Sequence, residues 1–216
     1  MTTDPVHAHR VDYWTWVDLH AVPSMRDNLL RLRDHWHEAN LRHFNGEMTL
    51  PYITLTVPSK PSLLGQCCAV SSWGSRLEIK LRPSLLSGDH PALVSGDQHE
   101  PGRLRFAADV LLHETIHQYH QEITGKTEAS YHGHGPAFTA TANAIGARLG
   151  LPEVVARNRG GSSLAKATQW PHCVRDPAYY LGAYRVPSTT DASPPPETVT
   201  CPHCDGSGKV PAGDES

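Results

Sequence analysis

Three residues carry the first recognisable chemistry in this chain: His113, Glu114 and His117, within Asp109-Val110-Leu111-Leu112-His113-Glu114-Thr115-Ile116-His117. On a helix the two histidines stand one turn apart on the same face, about 6 Å along the axis at ~1.5 Å per residue. Two imidazoles so placed reach one tetrahedral metal and leave a position for water. Glu114, beside the first of them, is then placed to take a proton from that water. The spacing makes chemical sense as a set of two neutral nitrogen ligands and one base.

These side chains need a rigid helix. Leu104, Ala108, Leu112, Ile116, Tyr119 and Ile123 recur at helical spacing and predict a buried stripe beside the histidines, with Gly125 just past the helix end. An unpaired polar group beside such a stripe is costly, and a metal would satisfy it. A site of this type usually takes a third protein ligand. His120 shares the face but lies about 10.5 Å from His113 at ~1.5 Å per residue, too far to share an ion, which leaves it an outer or surface position. The longer continuation of the motif needs glycine at 120 and histidine at 123, where this chain has His120 and Ile123. Glu122 and Glu128 offer carboxylates but sit on no separate helix. His132 and His134 remain, in Tyr131-His132-Gly133-His134-Gly135-Pro136-Ala137-Phe138. Pro136 starts a helix carrying Phe138, Ala142, Ile145 and Leu149, so His134 is held more rigidly and is favoured, with His132 the alternate.

The remaining elements are read from pattern. Ser24 is the expected N-cap of a first helix through Met25, Leu29, Leu32 and Trp36 to about His43, ended by Asn45-Gly46. Alternation predicts strands at Ile53–Val57, Gln66–Ser72 and Leu77–Leu81, with Trp73-Gly74-Ser75 as a hairpin loop between the last two. Residues 83–101 read as a loop, and Pro152 as the start of a short helix. Hydrophobic residues make up 38 % of the 216, enough for one core, and the net charge of −3 provides no general attraction for nucleic acid. Met1–His20 lacks the apolar segment of a signal peptide, and no run is long enough to span a bilayer. The five cysteines form no disulfide framework, so a cytoplasmic location without a membrane partner is expected.

Leu111 to Tyr119, followed by His134-Gly135-Pro136-x-Phe138, resembles the SprT-like family, whose eukaryotic branch is Spartan; Phe44-Asn45-Gly46-Glu47-Met48 resembles its Phe-Asn-Gly-x-Leu step. The resemblance runs from about Arg26 to Leu151. It implies an α+β, zincin-like domain with an N-terminal helix, a small antiparallel sheet, the HExxH helix and a following ligand-bearing helix. It also implies zinc peptidase chemistry, with His113, His117 and His134 as ligands of Zn²⁺ and Glu114 as general base. Protein substrates, in the characterised branch proteins trapped on DNA, come with it. The expected organisation is an N-terminal arm at 1–23, the metallopeptidase domain at 24–156, a basic and aromatic extension at 157–186, a disordered linker at 187–200 and a tail with Cys-x-x-Cys at 201–216. A zinc peptidase unrelated to DNA, and a nucleic-acid-binding adaptor whose zinc is structural, are the competing readings.

Two further features stand apart. Arg157, Arg159, Lys166, Arg175 and Arg185 alternate with Trp170, Tyr179, Tyr180 and Tyr184, a mixture that can grip single-stranded DNA or pack as a wrapping tail. Cys201-x-x-Cys204 supplies half of a zinc site, which Cys173 with His172 or His203 would complete. Cys67 and Cys68, adjacent in a strand, point to opposite faces and read as packing residues.

Overall fold

Proline sets where the first helix begins. The computed structural model describes residues 13, 15–60, 62–69, 77–88, 90, 93, 100–157 and 161–181, all within Met1–Tyr184. Helix α1 spans Pro23–His43 with Val22 before it and no side-chain cap, so Ser24 is not the N-cap. Pro23 takes the first helical position, where its fixed φ fits and its missing N–H is no loss. Leu29, Leu32 and Trp36 are buried, and the helix gives way to Asn45 and Gly46 at positive φ. Upstream, residues 15–20 are helical rather than a loose arm, and Tyr13 and Val17 are buried in the core. Trp14 lies outside the described residues.

The sheet orders as β1 (Tyr52–Leu55), β3 (Leu77–Leu81), β2 (Gly65–Ala69). It is mixed, which corrects the expected antiparallel sheet: β1 runs parallel to β3 with Ile53 opposite Ile79, and β2 antiparallel with Cys67 opposite Ile79. Alternation reports which residues face the core and carries no information about strand direction. The strand at 52–55 is shorter than predicted, while residues 70–72 of the second predicted strand and the hairpin loop expected at Trp73-Gly74-Ser75 lie outside the described residues.

The stretch read as a loop at 83–101 contains α2 (Ser84–Ser87), which buries Leu85 and Leu86, and the start of α3 (Glu100–Tyr119). Helix α3 is the centre of the fold, packed by α1, α2, the sheet and the helices that follow. Its buried residues include Phe106, Ala107, Val110, Leu111 and Ile116, but also Asp109, His113, Glu114, Thr115 and Gln118. The expected stripe was therefore misplaced: Leu104, Ala108 and Leu112 are half-buried, and Ile123 is exposed. A helix enclosed on nearly all sides has no single apolar face for a periodicity argument to find. Past Tyr119 the helix widens into a π turn, His120–Thr124, closed by Gly125 at φ +67°. A 3-10 turn, Ala129–Tyr131, leads to α4 (Pro136–Arg148).

No helix starts at Pro152. Asn143 accepts from the Val154 N–H and donates to the Val154 carbonyl, so the chain runs extended, and Val155 bridges to Lys166. After a 3-10 turn at Ala167–Gln169 the chain ends, among the described residues, in α5 (Pro177–Tyr180). This basic and aromatic segment packs into the fold. Trp170 and Tyr180 are buried, Arg175 forms a two-pronged bond to Asp109 at 2.7 Å each, and the Tyr180 hydroxyl donates to the same carboxylate at 2.7 Å. Tyr179 lies under the Arg175 guanidinium, 4.2 Å from its ring centroid. Arg157 and Lys166 remain exposed, while Arg159, Tyr184, Arg185, the proposed linker and the tail lie outside the described residues.

The Asp109–Arg175 pair fastens the C-terminal segment to α3. Removing one partner strands the other charge in a site with little water. Asp109→Ala is expected to lose about 3–5 kcal/mol, and Tyr180→Phe about 1.5–3 kcal/mol, both read from urea unfolding. A wild-type midpoint in the Asp109→Ala protein would show that the pair holds nothing.

Candidate metal centre

His113 and His117 leave α3 one turn apart, as their spacing requires, and meet a third ring from outside the helix. His134 Nε2 is 2.9 Å from His113 Nε2 and 3.2 Å from His117 Nε2. Among the described residues these three form the one group of histidines, cysteines and carboxylates placed to hold a metal ion. Nitrogens around a tetrahedral ion at about 2.0–2.1 Å stand ~3.3 Å apart, close to the separations seen. Phe138 lies against all three rings, with centroid distances of 4.9, 4.7 and 4.9 Å to His113, His117 and His134.

His113 accepts its orientation from the far C-terminal segment: Nδ1 lies 2.7 Å from the Trp170 carbonyl oxygen. A carbonyl only accepts, so Nδ1 carries the proton and Nε2 keeps a lone pair for the metal. His134 depends on Glu128, whose carboxylate accepts from the N–H groups of Gly135, Ala137 and Phe138 at 3.0, 2.7 and 3.1 Å. That carboxylate satisfies the first turn of α4 and fixes the residue before it. A Cβ at Gly135 would come within 2.6 Å of Glu128 Oε1, and one at Gly133 within 3.0 Å of His117 Cε1. Both glycines are therefore required by close approach, and Gly133 also by its φ of +80°.

The rejected candidates have other duties. His132 is exposed, at φ +52°. His120 is buried, not a surface residue, with Nδ1 3.0 Å from the Thr124 hydroxyl and Nε2 3.2 Å from that of Thr141. Glu122 accepts from the Thr49 N–H and from Gln118 Nε2. Cys173 is half-buried, with its thiol 3.8 Å from the Lys166 carbonyl; Cys201, His203 and Cys204 lie outside the described residues.

Glu114 is buried against β2. Its Oε2 accepts from the Cys67 N–H at 2.9 Å, and a Cβ at Gly65 would come within 2.9 Å of its Cγ and Oε1. Gly65 and Cys67 were missed as site residues in the sequence; the usable signal was a glycine opening a predicted strand, a mark of close approach. His113, Glu114, His117, His134, Gly65 and Cys67 line one cleft of about 820 Å³, with Ser62, Leu63, Leu64 and Gln66 and also Thr168, Gln169, Trp170 and His172 in its lining.

Burial sets the charge state. It drives His113 well below the ordinary imidazole range, His117 to about 3 and His134 to about 4, with neighbouring imidazoles lowering the first two further. Neutral lone pairs are what a metal needs. Burial raises Glu114 to about 8, against the lowering effect of the Cys67 N–H. No protein-family model, curated protein or solved structure matches this chain. Among the described residues no helix is long and apolar enough to cross a membrane.

Two outcomes follow from this geometry. His134→Ala should release metal to a chelator far more readily than wild type, while His132→Ala should hold it normally; elemental analysis after dialysis reads both. In metal-stripped protein, the unfolded chain binds more protons than the folded chain at the three histidines as pH approaches the ordinary 6.5 from below, because His117 is held at about 3, His134 at about 4 and His113 well below the ordinary range; stability therefore rises with pH there. Glu114 acts in the opposite sense, since the folded chain keeps its proton between 4.5 and about 8. Thermal midpoints should therefore climb to about pH 6.5 and decline toward pH 8, and Glu114→Gln should abolish only the decline.

Proposed function

We propose that this chain is a zinc-dependent metalloendopeptidase of the SprT-like type, with a zincin-like fold. The observation that carries the reading is the buried carboxyl group of Glu114, in the same cleft as three converging neutral imidazoles. An all-nitrogen set of three histidines that leaves a fourth position open suits catalytic zinc. A structural site closes its fourth position with protein and has no use for a buried carboxylate beside it, which weighs against the adaptor reading.

His113, His117 and His134 would hold Zn²⁺ through Nε2. Bound there, the metal supplies Lewis acidity toward a carbonyl oxygen and acidifies a water. Glu114, which a cation beside it would hold ionised against its burial, accepts the proton of the attacking water and passes it to the amine nitrogen as the C–N bond breaks. The Cys67 N–H and the surface of Gly65 hold the Glu114 carboxylate on the strand side of the cleft. Trp170 keeps His113 in the tautomer that binds metal.

A protein substrate is favoured by the outer edge of β2, which pairs with no further strand among the described residues. Arg82 donates its N–H to the Leu64 carbonyl, so Leu64, Gln66 and Cys68 turn their backbone groups to β3. Gly65, Cys67 and Ala69 then turn theirs away from β3, and the Cys67 N–H indeed meets Glu114. An extended peptide can add to such an edge by main-chain hydrogen bonds beside the metal. A DNA-associated substrate is supported by the resemblance alone, because Trp170 and Tyr180 are buried and Arg175 is paired.

The test is cleavage of an unstructured protein by the zinc-loaded chain, and of a DNA-bound protein with and without single-stranded DNA. Glu114→Gln should retain zinc and lose about 10²-fold or more in kcat. Undiminished turnover in that variant would remove Glu114 from the chemistry. Stimulation by single-stranded DNA would support the DNA-associated class, and its absence the zinc peptidase without a nucleic-acid partner.

A further inference from the structure

One more polar ring lines the cleft with an unassigned role. His172 follows Trp170, whose carbonyl holds His113, and lies near enough to His113 for charge on one ring to oppose charge on the other. One side of its ring meets Phe106, at 5.2 Å between centroids and 44° between planes. Its Nδ1 is buried and has no hydrogen-bond partner among the described residues. His172 lines the cleft and is half-buried; with Nδ1 enclosed, Nε2 is the ring nitrogen available to reach into it.

The tautomer follows from the same contacts. Nδ1 is unpartnered in either tautomer, and an orphaned buried N–H is rarer in folded proteins than an orphaned acceptor, which favours the proton on Nε2. Burial also lowers the affinity of the ring for a second proton, although Asp109 opposes this. His172 is thus a neutral donor aimed into the cleft. Its backbone is held on both sides: Cys173 donates its N–H to the Gln169 carbonyl and Val174 to that of Pro171, while Arg175 is fixed to Asp109. His120, the other buried histidine lining the cleft outside the cluster, has both ring nitrogens engaged.

We propose that His172 is a catalytic residue, whose Nε2–H donates a hydrogen bond to the carbonyl oxygen as that oxygen gains negative charge. This rests on the peptidase reading. In the attack the water oxygen bonds to the carbonyl carbon, the C=O π pair moves onto oxygen, and Glu114 takes the water proton. In collapse that pair re-forms the carbonyl, the C–N bond breaks, and the amine takes the proton from Glu114. His172 keeps its own proton throughout. Preorganised donors at such an oxygen act because charge appears there only on the way to the transition state.

The zinc-loaded full chain is compared with His172→Phe and His172→Gln for zinc content, kcat, KM and affinity for a phosphinic peptide, whose tetrahedral anion mimics the charged oxygen. His172→Phe should keep its zinc and lose about 10²-fold in kcat and similarly in phosphinate affinity, with KM within about threefold. His172→Gln, which retains an N–H, should recover part of both. A Phe variant with wild-type kcat and phosphinate affinity, or a Gln variant no better than Phe, would overturn the assignment. Should the Phe variant fail to fold, histidine-ring NMR of the wild type decides: the His172 Nε2–H resonance must move when the phosphinic peptide binds, and an unmoved signal ends the proposal. A wild-type chain that binds the phosphinate but cleaves no peptide defeats the peptidase reading, and the affinity series then decides the His172 contact by itself.

Discussion

Three imidazole nitrogens, with that of His134 about 3 Å from each of the other two, repel unless something positive sits among them, and the rest of the structure is arranged to keep them there. Each ring loses its freedom to a different part of the chain. Phe138 packs on all three, the Trp170 carbonyl turns His113, and Glu128 locks the turn that carries His134. Protonation would relieve the crowding by driving the rings apart, and burial opposes it. What remains is a set of lone pairs with fixed directions, a concentration of negative potential that selects a cation.

The polar residues of α3 explain why the helix can be enclosed at all. Asp109 is neutralised by Arg175 and Tyr180, Gln118 bridges Trp36 to the Thr49 carbonyl, and Thr115 returns its hydroxyl to Leu111. Each buried group finds a partner on an element distant in sequence or on the preceding turn, so the desolvation cost is met locally. The metal cluster and Glu114 are the members of this face whose chemistry points into the cleft.

Much of this was legible in the residues, and the failures share a cause. The HExxH spacing and the proline-started helix after His134 are local signals, and local signals identify which side chains can converge. Strand direction and the true buried face of α3 depend on partners far along the chain. Asp109 and Arg175 carry no mark in sequence that joins them, and the aromatic run from Trp170 to Tyr180 reads equally as a binding surface or as core until its contacts are known. The role of the Trp170 backbone carbonyl cannot be read from any side chain. Gly65 was the exception, a visible clue that went unused.

The order in which the chain is made gives the Asp109–Arg175 clasp a temporal meaning. Domains fold as synthesis proceeds, at roughly 5–20 residues per second from the N-terminal side. Glu114 and the three clustered histidines emerge before Trp170, Arg175 and Tyr180, and until those arrive His113 has no carbonyl to orient it and Asp109 no counter-charge. The nascent chain therefore passes through a stage that contains Glu114 and the three clustered histidines without the contacts that orient them. The arrangement is completed late, by the emergence of a segment that itself contributes no residue to the histidine cluster.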